Sequence, residues 1–283
     1  MKLAFSSVAC PAWDLATMVM KAKEYGYQGI ELRGLNGQMH LPLAPELASD
    51  PRKIGDLVRS AGVELICLST GAAFHMNDAR EVAKNLAEVR ETIELAGKLG
   101  CPMVRVFAGE IPKGRFFYEK RETVLGRIAA ALKTLASVAA QHRVTVVMEN
   151  GGDFADSASL WYMVDAVESP RVQCCWSPFA ARTLGERPTT SIPRLAGKIA
   201  LVHACDGKFD ASGALEGHAL PGQGQVEWPR LVQLLKGIAY SGYLCLDWPK
   251  LWIPGLVDAD RALPAAAKYL QGLLDEKPAV MTA

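Results

Sequence analysis

The chain of 283 residues is half hydrophobic and carries 31 basic against 30 acidic side chains. A net charge near +1 leaves no electrostatic footprint for nucleic acid or an anionic membrane, and the longest purely apolar runs fall well short of the roughly 20 residues that span a bilayer. Seven cysteines, an odd number with no Cys-x-x-Cys spacing, argue against a zinc knuckle and a disulfide framework and point to a reducing cytoplasm.

In chain order, short apolar, β-branched runs predict eight strands. They are "KLAFSSVA" (2–9), "GIELRG" (29–34), "VELICLST" (63–70), "PMVRVFAG" (102–109), "VTVVMEN" (144–150), "VQCCWS" (172–177), "IALVHACD" (199–206) and "YLCLDW" (243–248). The opening "MKLAFSSVAC" reads as a first strand, being too short and too broken by serines for a secretory signal. Helical patterns follow nearly every strand, several of them opening on Asp and closing on Gly, the favoured caps. Strand starts recur every roughly 30 to 40 residues, one βα unit each, so a single (β/α)8 barrel over residues 1–275 is expected. Residues 276–283 read as a loosely held tail. "GIELRG" lacks the Gly-x-Gly-x-x-Gly turn of a dinucleotide fold, so no nucleotide cofactor is expected. The Gly222-x-Gly224 pair follows no strand and reads as a loop.

In such a barrel the active site lies where the strands end, at their C-terminal mouth. Polar groups there are Glu31 and Arg33 after strand two, His75 beyond strand three, Arg105 in strand four and Glu149-Asn150 ending strand five. Ser177 ends strand six, His203 and Asp206 belong to strand seven, and Asp247 ends strand eight, followed by Trp248 and Lys250. Glu149, His203 and Asp247 thus converge from three strands, a set suited to a hard divalent cation with water completing the shell. The same two carboxylates can serve as general base and acid beside a carbonyl. For any one of these residues, a structural role as helix cap or ion-pair partner is the competing reading, Arg105 bridging to Glu31 or Glu149 among them. The case rests on three groups at equivalent strand ends.

These residues give the chain a resemblance, over nearly its whole length, to the xylose isomerase-like TIM barrels, also called the sugar phosphate isomerase/epimerase family. "GIELRG", "PMVRVFAG", "VVMEN" and "LVHACDG" look like its second, fourth, fifth and seventh strands. The run "LPGQGQVEWPRLVQLLKGIAYSGYLCLDW" is similar to its Pro-Gly-x-Gly loop, helix and acid-ended eighth strand. The resemblance implies a divalent metal, Mn²⁺ or Mg²⁺, held by acid, acid, imidazole and acid from strands five to eight, two of the carboxylates moving a proton through an enediolate. Glu149 and His203 match that pattern, Asp247 replaces the usual Glu, and Ser177 stands where the fourth ligand is expected, with Ala180 and Ile253 at positions where the family often has His. The metal shell is therefore read as thinned or absent. Arg105 or Lys208 would then stabilise the enediolate charge.

Two functions of different class follow. The first is an isomerase or epimerase, or a lyase, acting on a small sugar or sugar-like keto or polyol substrate, with Glu149 and Asp247 catalytic. Arg105, His75, Ser177, Trp176, Asp206, Lys208 and Trp248 are expected to bind the substrate. The second is a non-catalytic sugar-binding or partner subunit that kept the barrel and lost the metal chemistry. An apurinic endonuclease is disfavoured by only five histidines and the near-zero charge. A small-molecule substrate is the expected partner, and the resemblance implies a homodimer.

Overall fold

The computed structural model describes residues 1–114 and 117–276, so residues 277–283 of the expected tail lie outside the described residues. Eight parallel strands close into a barrel: β1 Lys2–Ser6, β2 Gly29–Leu32, β3 Glu64–Ala73, β4 Met103–Phe107, β5 Thr145–Glu149, β6 Val172–Trp176, β7 Ile199–Ala204 and β8 Tyr243–Leu246. They follow one another around the barrel in sequence order, and β8 pairs with β1 to close it. This is the (β/α)8 architecture that the alternating pattern predicts.

Most strands are shorter than their apolar runs, because backbone pairing stops where a chain turns into its loop. β3 is the exception and extends to Ala73 past an irregularity in its pairing with β4 between Ser69 and Ala73. There the Thr70 hydroxyl donates to the Arg105 carbonyl (2.9 Å) and holds the two strands together.

The helix caps are those that the sequence announces. Asp14, Asp50, Asp78 and Asp156 each accept a backbone N–H from the first turn of the following helix. Gly26 and Gly100 close two helices in the left-handed conformation. The helix Arg121–His142 is long and apolar enough, by composition, to cross a bilayer, which the count of purely apolar runs misses because Arg127, Lys133 and a few short polar residues interrupt it. In the barrel its apolar stripe, including Val124, Ile128, Leu132 and Leu135, is buried.

Two apolar layers hold the fold. The larger lies between strands and helices; the smaller fills the barrel's interior with Ile66, Cys67, Met103, Val147, Cys175, Leu201 and their neighbours. Gly29 belongs to that interior layer: a Cβ there would sit 2.6 Å from Ile66 Cγ2 and 2.8 Å from Tyr243 Cε1. All seven cysteines are free and buried, small apolar filling within or beside the strands.

Candidate active site

Side chains of a strand alternate between its two faces, so the position two residues beyond each interior packing residue also faces inward. From Ala4, Gly29, Cys67 and Met103 this rule leads to Ser6, Glu31, Ser69 and Arg105. From Val147, Leu201 and Cys245 it leads to Glu149, His203 and Asp247. The barrel thus changes within one layer from apolar filling to a ring of polar and charged groups at its C-terminal mouth.

His203 is the centre of that ring. Its Nδ1 lies 2.7 Å from Glu149 Oε1 and 3.9 Å from Asp247 Oδ2, while its Nε2 lies 2.8 Å from Glu31 Oε2. The second oxygen of each glutamate is also engaged. Ser6 donates its hydroxyl to Glu31 Oε1 (3.1 Å), and Arg105 Nη1 lies 3.1 Å from Glu149 Oε2. Arg105 in turn donates from Nε to the Ser69 hydroxyl (3.2 Å). Four charged side chains, all but excluded from water, therefore form one continuous network, and such networks hold together only when every member is satisfied.

The electrostatics follow from that packing. Burial alone would raise the Glu31 pKa, but the facing His203, by charge and hydrogen bond, and Arg105 bring it down to about 2. Glu149 is lowered in the same way, against the cost of burial, by His203 and Arg105. Burial opposes charge on His203, yet Cys175, Glu149 and Glu31 together hold its pKa well above the ordinary value. Asp247 behaves differently. Burial raises it first, the charge of His203 pulls it back, and the neighbouring Glu149 and Glu31 add to the rise, leaving it at about 6. The mouth therefore holds two carboxylates kept ionised and a third that titrates near neutrality.

A cavity of about 300 Å³ opens onto this network. Its wall includes Glu31, Arg105, Glu149 and Asp247, with Phe107 and Trp252 as aromatic faces. Glu149, Asp247 and Arg105 thus share one cavity with His203 directly behind them. Glu31, expected at the mouth but given no catalytic, metal or substrate role by the sequence, is fully buried at the heart of the network, and Trp252 in the loop after β8 is a wall residue that the sequence did not single out. The period-two alternation of "GIELRG" against the interior layer is the signal that finds Glu31.

Other expected site residues are spent on structure. Ser177 uses its hydroxyl to accept the Ala180 N–H (3.2 Å) at the start of the helix Pro178–Thr183, and its own backbone is clasped by the Asn150 amide. It is not part of the cavity wall. Asp206 accepts four backbone N–H groups, from Gly207, Gly222, Gly224 and Val226, so its carboxylate shapes the Pro-Gly-x-Gly loop rather than reaching a ligand. A Cβ on Gly224 would lie 2.2 Å from Asp206 Oδ1, which is why that loop needs glycine there. Trp176 is buried in the core, and Trp248 donates its indole N–H to the Val257 carbonyl (2.8 Å). Lys208 is exposed on the hairpin Asp206–Phe209/Leu215–Ala219. His75 packs its ring against Gly109 and lends its carbonyl to Arg127. None of these five lines the cavity.

A parallel eightfold barrel with carboxylates and an imidazole gathered at its C-terminal mouth defines the class: a TIM barrel with a charged mouth. The chain belongs to the xylose isomerase-like TIM barrel family, whose model matches residues 19–273. A comparison with curated protein sequences gives no significant match. Among solved structures it is similar to the IOLI protein with a binding zinc atom, at 18% identity and a TM-score of 0.81, covering 97% of this chain and 98% of that one. A D-tagatose 3-epimerase-like protein is 20% identical with a TM-score of 0.76, over 97% and 98% of the two chains. D-psicose 3-epimerase with D-tagatose, from Clostridium cellulolyticum H10, is 15% identical with a TM-score of 0.77, over 97% and 99%.

Proposed function

We propose that this chain is an isomerase or epimerase of a small sugar or sugar-like keto or polyol substrate, moving a proton at the carbon beside a carbonyl. The observation that carries the reading is the pairing of Glu149 and Asp247 on one cavity wall with Arg105 beside them. The sugar epimerases among the similar structures support the same class.

Asp247, with a pKa of about 6, exchanges readily between base and acid near neutrality, and Glu149 is held ionised. One carboxylate removes the proton from the carbon beside the carbonyl, and the C–H electron pair forms the C=C bond of an enediolate. The second group returns a proton, to the opposite face of that carbon for epimerisation or to the neighbouring carbon for isomerisation. Arg105, paired with Glu149 at the cavity wall, supplies positive charge toward the enediolate oxygen. Lys208 is too exposed for that part.

The donor chemistry also fits a weak seat for a divalent cation such as Mn²⁺ or Mg²⁺. Glu149 Oε1 and Asp247 Oδ2 lie 2.7 and 3.9 Å from His203 Nδ1, and Glu31 steadies the far ring nitrogen as carboxylates do behind metal-bound histidines. A bound ion would polarise the substrate carbonyl. With Ser177 committed to its helix, only three protein ligands support it.

A second reading, a sugar-binding or partner subunit without turnover, is favoured by the closure of the network, since both nitrogens of His203 and both oxygens of Glu149 have partners. Proton exchange separates the two. Ketoses and aldoses incubated with the protein in D₂O should gain deuterium at the carbon beside the carbonyl, observed by NMR, and Glu149→Gln or Asp247→Asn should slow exchange by about 10²–10⁴. Binding without exchange by the wild type would establish the second reading instead.

A further inference from the structure

The cavity holds one cation that the network does not use. Arg33 stands just past the end of β2, and its backbone N–H donates to the Ser7 hydroxyl (2.9 Å), which fixes where its side chain departs. The guanidinium is half-buried, lines the same cavity as Glu149 and Asp247, and lies over the Trp252 ring at 5.7 Å from the centroid. Among the described residues, no carboxylate lies within 4.0 Å of it and no hydrogen-bond acceptor receives its five N–H donors. Arg105, by contrast, is matched to Glu149 and Ser69.

A partly desolvated guanidinium with no carboxylate in contact is costly: burial and the Arg105 charge hold its pKa below the usual arginine value, although the more distant Glu88 and Glu31 charges pull the other way. The surroundings nevertheless keep it in place. Gly71 offers bare backbone beside it, where a Cβ would come within 3.0 Å of Arg33 Nη2. Trp252 lies against the guanidinium, and both groups line the cavity. The forked donors of a guanidinium are suited to the two oxygens of a carboxylate or phosphate. Arg33 and Gly71 also border a second hollow of about 580 Å³, whose wall carries Lys84 but also Glu88 and Glu91, so the anion seat is the Arg33 edge itself and not the depth of that hollow.

We infer that the substrate carries an anionic group, a carboxylate or a phosphate, which Arg33 binds against Trp252 while its carbonyl end meets Glu149 and Asp247. The inference rests on the isomerase or epimerase reading for the reacting end, and it restricts that reading to sugar acids or sugar phosphates, against neutral ketoses.

Calorimetric titration with D-fructose, D-fructose 6-phosphate and D-glucuronate tests it. The wild type should bind at least one of the charged compounds roughly 10- to 100-fold tighter than D-fructose, the range that a charge-assisted hydrogen bond is worth, and which charged compound binds tighter distinguishes phosphate from carboxylate. Arg33→Met should erase that preference and leave D-fructose binding within about 2-fold, while Arg33→Lys, with charge but no fork, should keep part of it. Gly71→Ala, which displaces the guanidinium without removing it, should weaken only the charged ligands. Thermal unfolding of each variant reports that the barrel is intact. No preference in the wild type, including no binding by any of the three, overturns the inference, as does a loss in Arg33→Met that is equal for neutral and charged ligands. Charge-selective binding without deuterium exchange would overturn the isomerase reading and leave the anion site standing.

Discussion

His203 Nε2 lies 2.8 Å from Glu31 Oε2, on the side of the ring opposite its 2.7 Å contact with Glu149. One imidazole thus ties β2 to β5 across the barrel mouth, and its ring is fixed by two carboxylates rather than by packing alone. Replacing Glu31 by Gln breaks a buried ion pair and should cost about 3–5 kcal/mol. Because the Glu31 pKa in the fold is about 2 against an ordinary 4.5, its contribution is complete above pH 4.5 and disappears as pH falls toward 2. Urea unfolding of both proteins at pH 7 and pH 3 should show a large gap at the first and a smaller one at the second. An equal gap at both would mean that Glu31 acts through its shape and not its charge.

Asp247 should show the opposite sign. Its folded pKa, about 6, lies above the ordinary 3.8, so its favourable contribution exists below pH 3.8 and is lost as pH rises through 6. One-third exposure of its side chain lets solvent screen much of this, leaving on the order of 1 kcal/mol. Asp247→Asn should therefore be more stable than wild type by about that amount at pH 7.5 and indistinguishable from it at pH 3.5, while losing proton exchange. In the wild type, exchange should rise with pH through about 6. A variant that is less stable than wild type at pH 7.5 would contradict the assignment.

A three-ligand seat should bind Mn²⁺ weakly, and Ser177→Asp tests whether a fourth can be restored. Aspartate is as good a helix cap as serine, so the helix Pro178–Thr183 should tolerate it. If its carboxylate reaches the seat, Mn²⁺ titration followed by EPR should give tighter binding than in wild type. Equal or weaker binding, with loss of stability from crowding Glu149 and Asp247, would show that the mouth is built to work without the ion.

Asp206 carries a prediction of a different kind. Asp206→Ala removes the acceptor of four backbone N–H groups and should cost roughly 2–4 kcal/mol. Amide hydrogen exchange should speed up in residues 222–226, whereas ligand affinity should change less than in Arg105→Met. Unchanged exchange in that loop would refute the anchoring role.

The barrel was readable because eight apolar runs and their Asp and Gly caps all repeat the same local unit, and a βα repeat has few ways to close. Glu149, His203, Asp247 and Arg105 were readable because each ends or lies within such a run. Glu31 was placed at the mouth by its strand end, but its bond to His203 was not legible until the inward face of β2 was known. Ser177, Asp206 and Trp248 show the converse limit. Position at a strand end says that a side chain is near the mouth, but whether it turns to the ligand or back to its own loop depends on nearby backbone N–H and C=O groups. Trp252 and Arg33 meet only in three dimensions, one from each end of the chain.

The loop that carries Trp252 is clasped by a single ammonium: Lys250 Nζ lies 2.6 Å from the Pro254 and Leu256 carbonyls and 2.7 Å from Asp258 Oδ1. Leu251 adds a backbone bond to the Val8 carbonyl (2.9 Å). The aromatic wall of the cavity is consequently set before any ligand arrives, and a ligand docking there would forfeit little chain entropy in the process. Losing the Lys250 charge would turn that wall into something the ligand must assemble, a burden felt in residence time more than in the encounter rate.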